Sequence, residues 1–138
     1  MRAVLVDTGP LYAMADQDDG WHDRVRAFLD TARIQLIVPV TVLPEAAYLI
    51  STHLGAAAEL SFVRAVGRDE LRVESLKKGD VDRTVEVMDT DLDAHLGFVD
   101  ASLVAIAERL KIRELLTTDR KHFSLVRPLQ WPALTLLP

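Results

Sequence analysis

The sequence alternates short apolar runs with longer segments of helical periodicity, and this alternation restricts the fold more than any other feature. An apolar run bounded by turn residues is typical of a buried strand, whereas apolar residues spaced three or four apart indicate a helix. Strands separated by helices pair in parallel through right-handed crossovers. The sequence therefore predicts an α/β fold, a three-layer α/β/α domain around a central, mostly parallel sheet of about five strands. The predicted strands are residues 2–6, 34–38, 70–75, 114–118 and 133–137.

The segments between these strands contain signals for helix boundaries. Pro10 suits the first turn of a short helix, because an amide there has no partner within the helix. Thr41 is expected to cap another helix, since its hydroxyl can accept a hydrogen bond from a free amide. The predicted helices follow Gly9-Pro10 and Thr41, and cover residues 21–33, 56–66, 80 or 82 to 88, and 99–110.

Length and composition suit one globular domain. The chain has 138 residues, of which 49% are apolar, and a chain of this size buries about 70% of its unfolded surface. We therefore expect residues 1–138 to form a single domain. Cysteine is absent, which excludes disulfides and thiolate chemistry. The longest early apolar run, Ala3–Val6, is too short for a membrane span or a signal-peptide core, so we expect a cytoplasmic protein without membrane contact.

The charges are unevenly distributed along the chain. The net charge of −5 argues against a general nucleic-acid binder, which usually carries a basic stripe. Residues 79–100 contain seven acids and one base, whereas residues 120–127 contain Arg120, Lys121, His122 and Arg127 without an acid. We expect an acidic surface with a local basic strip. Arg120, Lys121 and Arg127 could steer a polyanion, or they could form a solvated turn.

Four carboxylates occupy positions that an α/β fold brings to one edge of the sheet. Asp7 ends the first predicted strand and Asp119 ends the fourth, while Glu45 and Asp100 stand near the starts of helices. Ligand sites of parallel α/β sheets lie at the carboxyl ends of the strands. We therefore expect the four acids to converge at that edge.

Each acid taken alone has a structural explanation. Aspartate is a preferred helix cap, worth about 0.5–2 kcal/mol over alanine, and acids near helix starts gain about 0.3–1 kcal/mol from the helix dipole. Asp119, before the residues RKHF, is the most typical cap of the four. Convergence carries a cost, however, because two carboxylates about 5 Å apart repel by about 3 kcal/mol at an effective dielectric of 20. The stabilisation from capping does not obviously offset the repulsion of several such pairs. A divalent cation bound among them does offset it.

Mg²⁺ or Mn²⁺ is the cation that suits such a set, because both prefer hard oxygen ligands. The absence of cysteine and the scarcity of histidine near these acids disfavour a zinc site. A carboxylate-bound metal suits phosphodiester chemistry, since it activates a bound water and stabilises the leaving oxygen. Its charge also lets an acidic protein accept a phosphate.

Four motifs together resemble the PIN-domain ribonucleases, and more narrowly the VapC-type toxins of bacterial toxin–antitoxin pairs. The resemblance covers nearly the whole chain, and the ordered set is far more specific than any single motif. It implies that Asp7, Glu45, Asp100 and Asp119 are catalytic and bind Mg²⁺ or Mn²⁺. It also implies that Thr8 hydrogen-bonds the metal's water or the first carboxylate. The motifs are VDTGPLYA, VLPEAAYL, GFVDASLVAIAERL and LLTTDRKHF.

The resemblance also implies an activity and partners. Members of the family cut RNA, often tRNA or rRNA at selected sites, and Arg120 and Lys121 would then contact the substrate. They commonly form homodimers, and a cognate antitoxin silences them by placing its C-terminal segment in the active-site groove, often with a basic side chain among the acids. The RNA, the antitoxin and the number of metal ions stay open.

Several other residues have two interpretations each. His122 could assist a proton transfer or lie on the surface, and Asp93 could be an accessory acid or a solvated charge. Trp21 and Trp131 could stack on bases, although Trp21 suits the apolar face of its helix. The apolar residues of 42–66, including Tyr48, Leu54 and Phe62, exceed what one buried helix face needs. Dimer contacts, antitoxin contacts or ordinary core packing would explain them.

Two other classes of function compete with the nuclease. A haloacid-dehalogenase-like phosphatase needs a second aspartate two residues after the first, where this chain has Gly9. A receiver domain needs paired acids near the first strand, an acceptor aspartate ending the third and a lysine ending the fifth, and the chain lacks that set. A non-catalytic interaction module that uses the acids as caps stays open.

Overall fold

The computed structural model describes residues 1–90, 92 and 95–138, and Asp93 therefore lies outside the described residues. Its five strands form one sheet in the order β3–β2–β1–β4–β5, and every neighbouring pair is parallel. The predicted α/β fold with a parallel sheet of five strands is confirmed. The strands are β1 (Arg2–Val6), β2 (Ile34–Pro39), β3 (Arg72–Glu74), β4 (Glu114–Leu116) and β5 (Thr135–Leu137).

Seven helices accompany the sheet within the described ranges, and six of them correspond to predicted helices. The seventh, α7, is a single turn directly after Asp119 that the apolar periodicity does not predict. The helices are α1 (Thr8–Ala15), α2 (His22–Thr31), α3 (Val42–Leu54), α4 (Ala56–Gly67), α5 (Lys78–Thr90), α6 (Phe98–Leu110) and α7 (Arg120–Phe123). None of the helices in the described part of the chain has the length and hydropathy needed to cross a membrane.

Several local predictions differ from the structure. The strands expected over 114–118 and 133–137 are each two residues shorter, because β4 ends at Leu116 and β5 begins at Thr135. The strand expected over 70–75 is shorter, because the amide of Glu70 bonds the Ala65 carbonyl at 3.2 Å and closes α4. β2 extends through Pro39, and its pairing continues because the next amide, that of Val40, bonds the Glu74 carbonyl at 2.8 Å. Thr41 precedes α3 but its side chain makes no capping bond. Its hydroxyl instead pairs with Ser102 Oγ at 2.7 Å.

Helix α6 is buried on all sides, although its sequence predicts a single apolar face. Residues 101–108 are all buried, because α5 covers the side of α6 that faces away from the sheet. Two buried carboxylates join these helices: Arg83 of α5 reaches Glu108 at 2.7 Å, and Arg109 of α6 reaches Asp80 at 2.8 Å. A helix enclosed in this way holds its first turn, and hence Asp100, at a fixed place beside the sheet.

The strand order positions the site. β1 has β2 on one side and β4 on the other. The first half of the sheet is therefore built outwards from β1 in one direction, and the second half in the opposite direction. In an open parallel sheet this reversal creates a crevice at the carboxyl ends of the strands. Asp7 directly follows β1, and Asp119 follows β4 by three residues.

Candidate metal centre

Asp7 is fixed at the end of β1 by three hydrogen bonds. Its amide bonds the carbonyl of Leu116 in β4 at 2.9 Å. Its carboxylate accepts the amide of Thr8 at 2.8 Å, which caps α1, and the hydroxyl of Thr117 at 2.9 Å. Only 6% of Asp7 is exposed. Burial therefore raises the pKa of Asp7, and the two hydrogen bonds oppose that rise while the charges of Glu45 and Asp119 add to it.

Gly9 allows the turn that follows β1 to approach the turn that follows β4. A Cβ atom at Gly9 would lie 2.0 Å from Thr118 Oγ1 and 3.2 Å from Thr118 Cβ. The first distance is far inside van der Waals contact and the second is tight, so a side chain at Gly9 would displace the Thr118 side chain or the turn that carries it. The glycine thus brings the segments that carry Asp7 and Asp119 together.

Both the amide and the carboxylate of Asp119 are held by hydrogen bonds to neighbouring residues of the same turn. Its amide donates to Thr117 Oγ1 at 3.0 Å. Its carboxylate caps α7 by accepting the amide of His122 at 3.1 Å, and it also accepts the imidazole Nδ1 of His122 at 2.7 Å. Thr117 therefore connects the two aspartates, because the same hydroxyl donates to Asp7 and accepts from Asp119.

Glu45 reaches the site from the first turn of α3, and Thr8 holds it there. The Thr8 hydroxyl donates to Glu45 Oε1. The resemblance implies that Thr8 bonds the metal's water or the first carboxylate. In the structure, the amide and the hydroxyl of Thr8 bond two different carboxylates. The backbone amide of Thr8 bonds Asp7, whereas its hydroxyl is used by Glu45.

Asp100, in the first turn of α6, has the most perturbed carboxyl group of the site. Burial raises its pKa to about 7, together with the negative charges of Asp7, Asp119 and Glu45, while His122 acts in the opposite direction. Each of the other three acids therefore lies close enough to repel the Asp100 carboxylate. The structure brings together all four acids that the sequence singles out.

Hydrogen bonding shows which acids act as caps. Asp7 caps α1 and Asp119 caps α7, so the capping explanation describes part of their role. The first turns of α3 and α6 have no side-chain cap bond, and capping therefore does not explain Glu45 or Asp100. Two acids without a capping function, placed beside two that repel them, indicate a site for a cation.

The donor set fits a hard divalent cation, with one unexpected member. Ligand atoms of Asp100, Asp119 and His122 all lie within 4.8 Å of one another. The expectation that histidine is scarce near the acids is therefore wrong for His122. Oxygen donors suit Mg²⁺ and Mn²⁺, and four carboxylates around one crevice would hold either ion. The sequence signal for His122 is its position three residues after Asp119, on the same side of a helical turn.

The cations of the basic strip lie on the surface, and two of them directly follow Asp119 in the chain. Arg120, Lys121 and Arg127 are exposed, and the guanidinium of Arg120 donates to the carbonyl of Pro138. Their contact with a substrate stays a prediction. Trp21 packs against the core and under the guanidinium of Arg24, 4.6 Å from its ring. Trp131 is also partly buried against the core, so packing accounts for both tryptophans.

An apolar groove lies between α1, α2 and α4. Its volume is about 480 Å³, and its lining includes Leu11, Met14, Leu29 and Phe62. Helix α4 has no buried residue, and its Leu60 and Val63 are 49% and 51% exposed. The prediction that residues 42–66 carry more apolar surface than the core uses is confirmed for α4.

The fold and the site define a class: parallel α/β proteins with an acidic cluster at the carboxyl ends of their strands. The family model for the PIN domain matches residues 4–127, and the chain therefore belongs to the PIN domain family. The family resemblance of the four motifs is thereby confirmed, and the phosphatase and receiver alternatives are excluded.

The similar proteins include VapC proteins and a VapBC complex. Ribonuclease VapC26 of Mycobacterium tuberculosis (strain ATCC 25618 / H37Rv) is 29% identical over 135 residues, which cover 98% of this chain and 100% of that protein. The crystal structure of Mycobacterium tuberculosis VapC20, described as a sarcin-ricin loop cleaving toxin, superposes with a TM-score of 0.81. The two sequences are 19% identical, and the match covers 88% of this chain and 93% of the VapC20 chain. DNA-bound VapBC from Salmonella typhimurium superposes with a TM-score of 0.67 at 18% identity. The match covers 99% of this chain and 97% of that chain.

Proposed function

We propose that this protein is a Mg²⁺- or Mn²⁺-dependent endoribonuclease of the VapC type, a cytoplasmic toxin held inactive by a cognate VapB-like antitoxin. Membership of the PIN domain family supports a nuclease. The likeness to a VapC ribonuclease along almost the entire chain supports the narrower assignment.

The observation that carries the proposal is the convergence of four carboxylates on one crevice, with the pKa of Asp100 raised to about 7. Burial and mutual repulsion both disfavour the ionised carboxylates unless the site binds a cation. A metal-dependent nuclease needs such an ion, so the same residues that cost stability would provide the activity.

Asp7, Glu45, Asp100 and Asp119 would hold the ion. When bound, a divalent cation lowers the pKa of a coordinated water and neutralises charge on the phosphoryl and leaving oxygens. The surrounding residues fix the ligands: Thr117 orients Asp7, Thr8 orients Glu45, and the buried helix α6 positions Asp100. Ligands held by such contacts need little rearrangement when the ion binds.

The substrate would be RNA, with tRNA and rRNA as the expected classes. Arg120 and Lys121 are exposed on α7, directly after Asp119. They would contact phosphates on either side of the cleaved bond, whereas the ion would accept the phosphate at the site itself. This arrangement reconciles a net charge of −5 with a polyanionic substrate.

The antitoxin would use the apolar groove between α1, α2 and α4. A segment with apolar side chains would cover Leu11, Met14 and Phe62, and a basic residue of the same segment would reach the acids. The toxin–antitoxin complexes among the structural neighbours support this partner. The toxin itself would be a homodimer, which light scattering of the isolated protein can test.

Cleavage of labelled RNA with and without metal tests the activity. The wild-type protein should cut RNA in Mn²⁺ or Mg²⁺ and not in chelator. Asp7→Asn and Asp100→Asn should abolish cutting, because an amide is a poorer metal ligand. Asp82→Asn is the matched control, since it removes the same charge from a side chain of α5 that is 66% exposed.

Two results would separate nuclease from interaction module. If the wild type cuts no RNA in either metal but still binds its antitoxin, the chain is a non-catalytic module. If cutting occurs, sequencing of the fragment ends identifies the RNA and the cleavage site together.

A further inference from the structure

His122 lies within the acidic cluster rather than on an open surface. Its Nδ1 is 2.7 Å from Asp119 Oδ2, and its potential ligand atom lies within 4.8 Å of those of both Asp100 and Asp119. The side chain is 38% exposed, so the ring is covered in part by the site and is in part open to solvent. The hydrogen bond to Asp119 restricts the orientation of the ring.

We propose that His122 supplies a nitrogen ligand to the divalent cation and gives the centre a preference for Mn²⁺ over Mg²⁺. This inference rests on the proposed metal centre and extends it, because the four acids alone are hard oxygen donors that accept both ions. Imidazole suits first-row transition metals, whereas Mg²⁺ prefers carboxylates, phosphates and water. One nitrogen among the oxygens would therefore strengthen Mn²⁺ binding without an equal gain for Mg²⁺.

The contact with Asp119 supports a ligand role for the imidazole. Nδ1 lies 2.7 Å from Asp119 Oδ2, and two neighbouring ligands of one octahedral ion lie about 3 Å apart when each is about 2.1 Å from the ion. Without the ion, the Nδ1–H donates to the carboxylate. With the ion, the tautomer that carries its proton on Nε2 would present the lone pair of Nδ1 to the metal beside Oδ2.

A purely orienting role for the ring is less consistent with the contacts. Asp119 is already positioned by two backbone hydrogen bonds, from its own amide to Thr117 Oγ1 at 3.0 Å and from the His122 amide at 3.1 Å. Neither bond needs the imidazole. The ring is therefore an additional group at the site, and its nearness to Asp100 as well as Asp119 suits a shared ligand.

Two variants separate ligation from orientation. His122→Asn keeps an N–H donor close to the position of Nδ1 but has no nitrogen lone pair for a metal, and His122→Ala removes both. Calorimetric titrations with MnCl₂ and with MgCl₂ give the ratio of the two dissociation constants for each protein. We expect this preference for Mn²⁺ to fall on the order of tenfold in both variants. His53→Asn, at an exposed histidine of α3, should leave it unchanged.

Pulsed electron paramagnetic resonance of the Mn²⁺-loaded protein provides a readout that does not depend on activity. Modulation from a directly coordinated nitrogen should be present in the wild type and in His53→Asn, and absent in both His122 variants. The wild-type spectrum alone decides the question if His122→Ala does not fold.

Each contrary result is informative. Mn²⁺ binding without coordinated nitrogen, or an unchanged Mn²⁺ preference in both variants, overturns this inference and leaves the carboxylate centre intact. A preference lost in His122→Ala but kept in His122→Asn overturns it in favour of an orienting ring. If the wild type binds neither ion, the proposed metal centre itself is wrong.

Discussion

The hydroxyl of Thr117 donates to the carboxylate of Asp7 at 2.9 Å, although the two residues are 110 positions apart in the chain. Thr117 is fully buried. The same oxygen accepts the amide of Asp119 at 3.0 Å. One side chain thus determines the separation of two acids that arrive from different strands, and the geometry of the site depends on it.

Thr117→Val is expected to lower the free energy of unfolding by about 1.5–3 kcal/mol, because it removes a hydrogen bond to a buried charged group at nearly constant volume. It should also weaken Mn²⁺ binding, since Asp7 and Asp119 lose their connection. Urea unfolding and metal titration measure the two effects. Thr135→Val is the matched control, because Thr135 is exposed on β5. Equal stability of the two variants would contradict the role given to Thr117.

Gly9→Ala is expected to destabilise the protein by about 1–3 kcal/mol, because the added methyl group overlaps Thr118 and separates two turns of the site. The double variant Gly9→Ala with Thr118→Ala should regain part of that loss, since it removes the overlapping hydroxyl. Gly79→Ala provides the contrast: nothing lies within 4 Å of its Cβ position. Alanine in a helix is favoured over glycine by about 1 kcal/mol, so this variant should be more stable. Thermal unfolding compares all three.

The sequence predicts the sheet and the four acids for one physical reason. In a parallel α/β fold, strand ends and helix starts share one edge, so Asp7, Glu45, Asp100 and Asp119 can be placed there from the order of elements alone. The contacts that fix them are not predictable in this way. Thr117 and Gly9 act through neighbouring turns that lie far apart along the chain, and no local pattern marks such a pairing.

The missed features have a similar origin. Helix α7 has four residues, too few for apolar periodicity to detect, so His122 looks like a surface residue in the sequence. The burial of α6 on all sides depends on its cover by α5, which is mostly polar. Thr41 has the sequence of a cap, yet its hydroxyl bonds Ser102 because α6 passes beside the start of α3.

The raised pKa of Asp100 predicts that stability in chelator decreases as pH rises towards neutrality. The folded-state value of about 7 exceeds the unfolded value of 3.8, so the folded protein binds more protons between these values. The free energy of unfolding must then fall as pH rises through this window. Asp7 acts in the same direction, and Asp100→Asn should reduce the slope without removing it.

Urea unfolding in chelator from about pH 5 to pH 8 measures this slope. Asp80 does not interfere, because Arg109 and the Lys77 amide outweigh its burial and lower its pKa. Its contribution is lost only at more acidic pH, below the unfolded value of 3.8. A wild-type protein whose stability increases from about pH 5 to pH 8 would show that Asp100 is not strained by its neighbours.

Arg83 bonds two glutamates whose burial differs, and this pair gives a controlled test of how α5 holds α6. Glu108 is 6% exposed and lies 2.7 Å from the guanidinium, whereas Glu86 is 65% exposed and lies 3.1 Å away. Glu108 also accepts the amide of Leu129 at 2.9 Å. Glu108→Ala should cost about 3–5 kcal/mol, because it leaves the partly buried Arg83 without its buried partner. Glu86→Ala should cost about 0–1 kcal/mol, as for an exposed pair.

Chemical unfolding of both variants shows whether the buried Arg83–Glu108 pair stabilises the protein more than the exposed Arg83–Glu86 pair. Because α6 carries Asp100 in its first turn, a loosened α6 should also weaken metal binding, and Glu108→Ala should reduce Mn²⁺ affinity where Glu86→Ala does not. Comparable small losses in both variants would mean that apolar packing alone holds α6. The position of Asp100 would then not depend on the ion pairs that join the two helices.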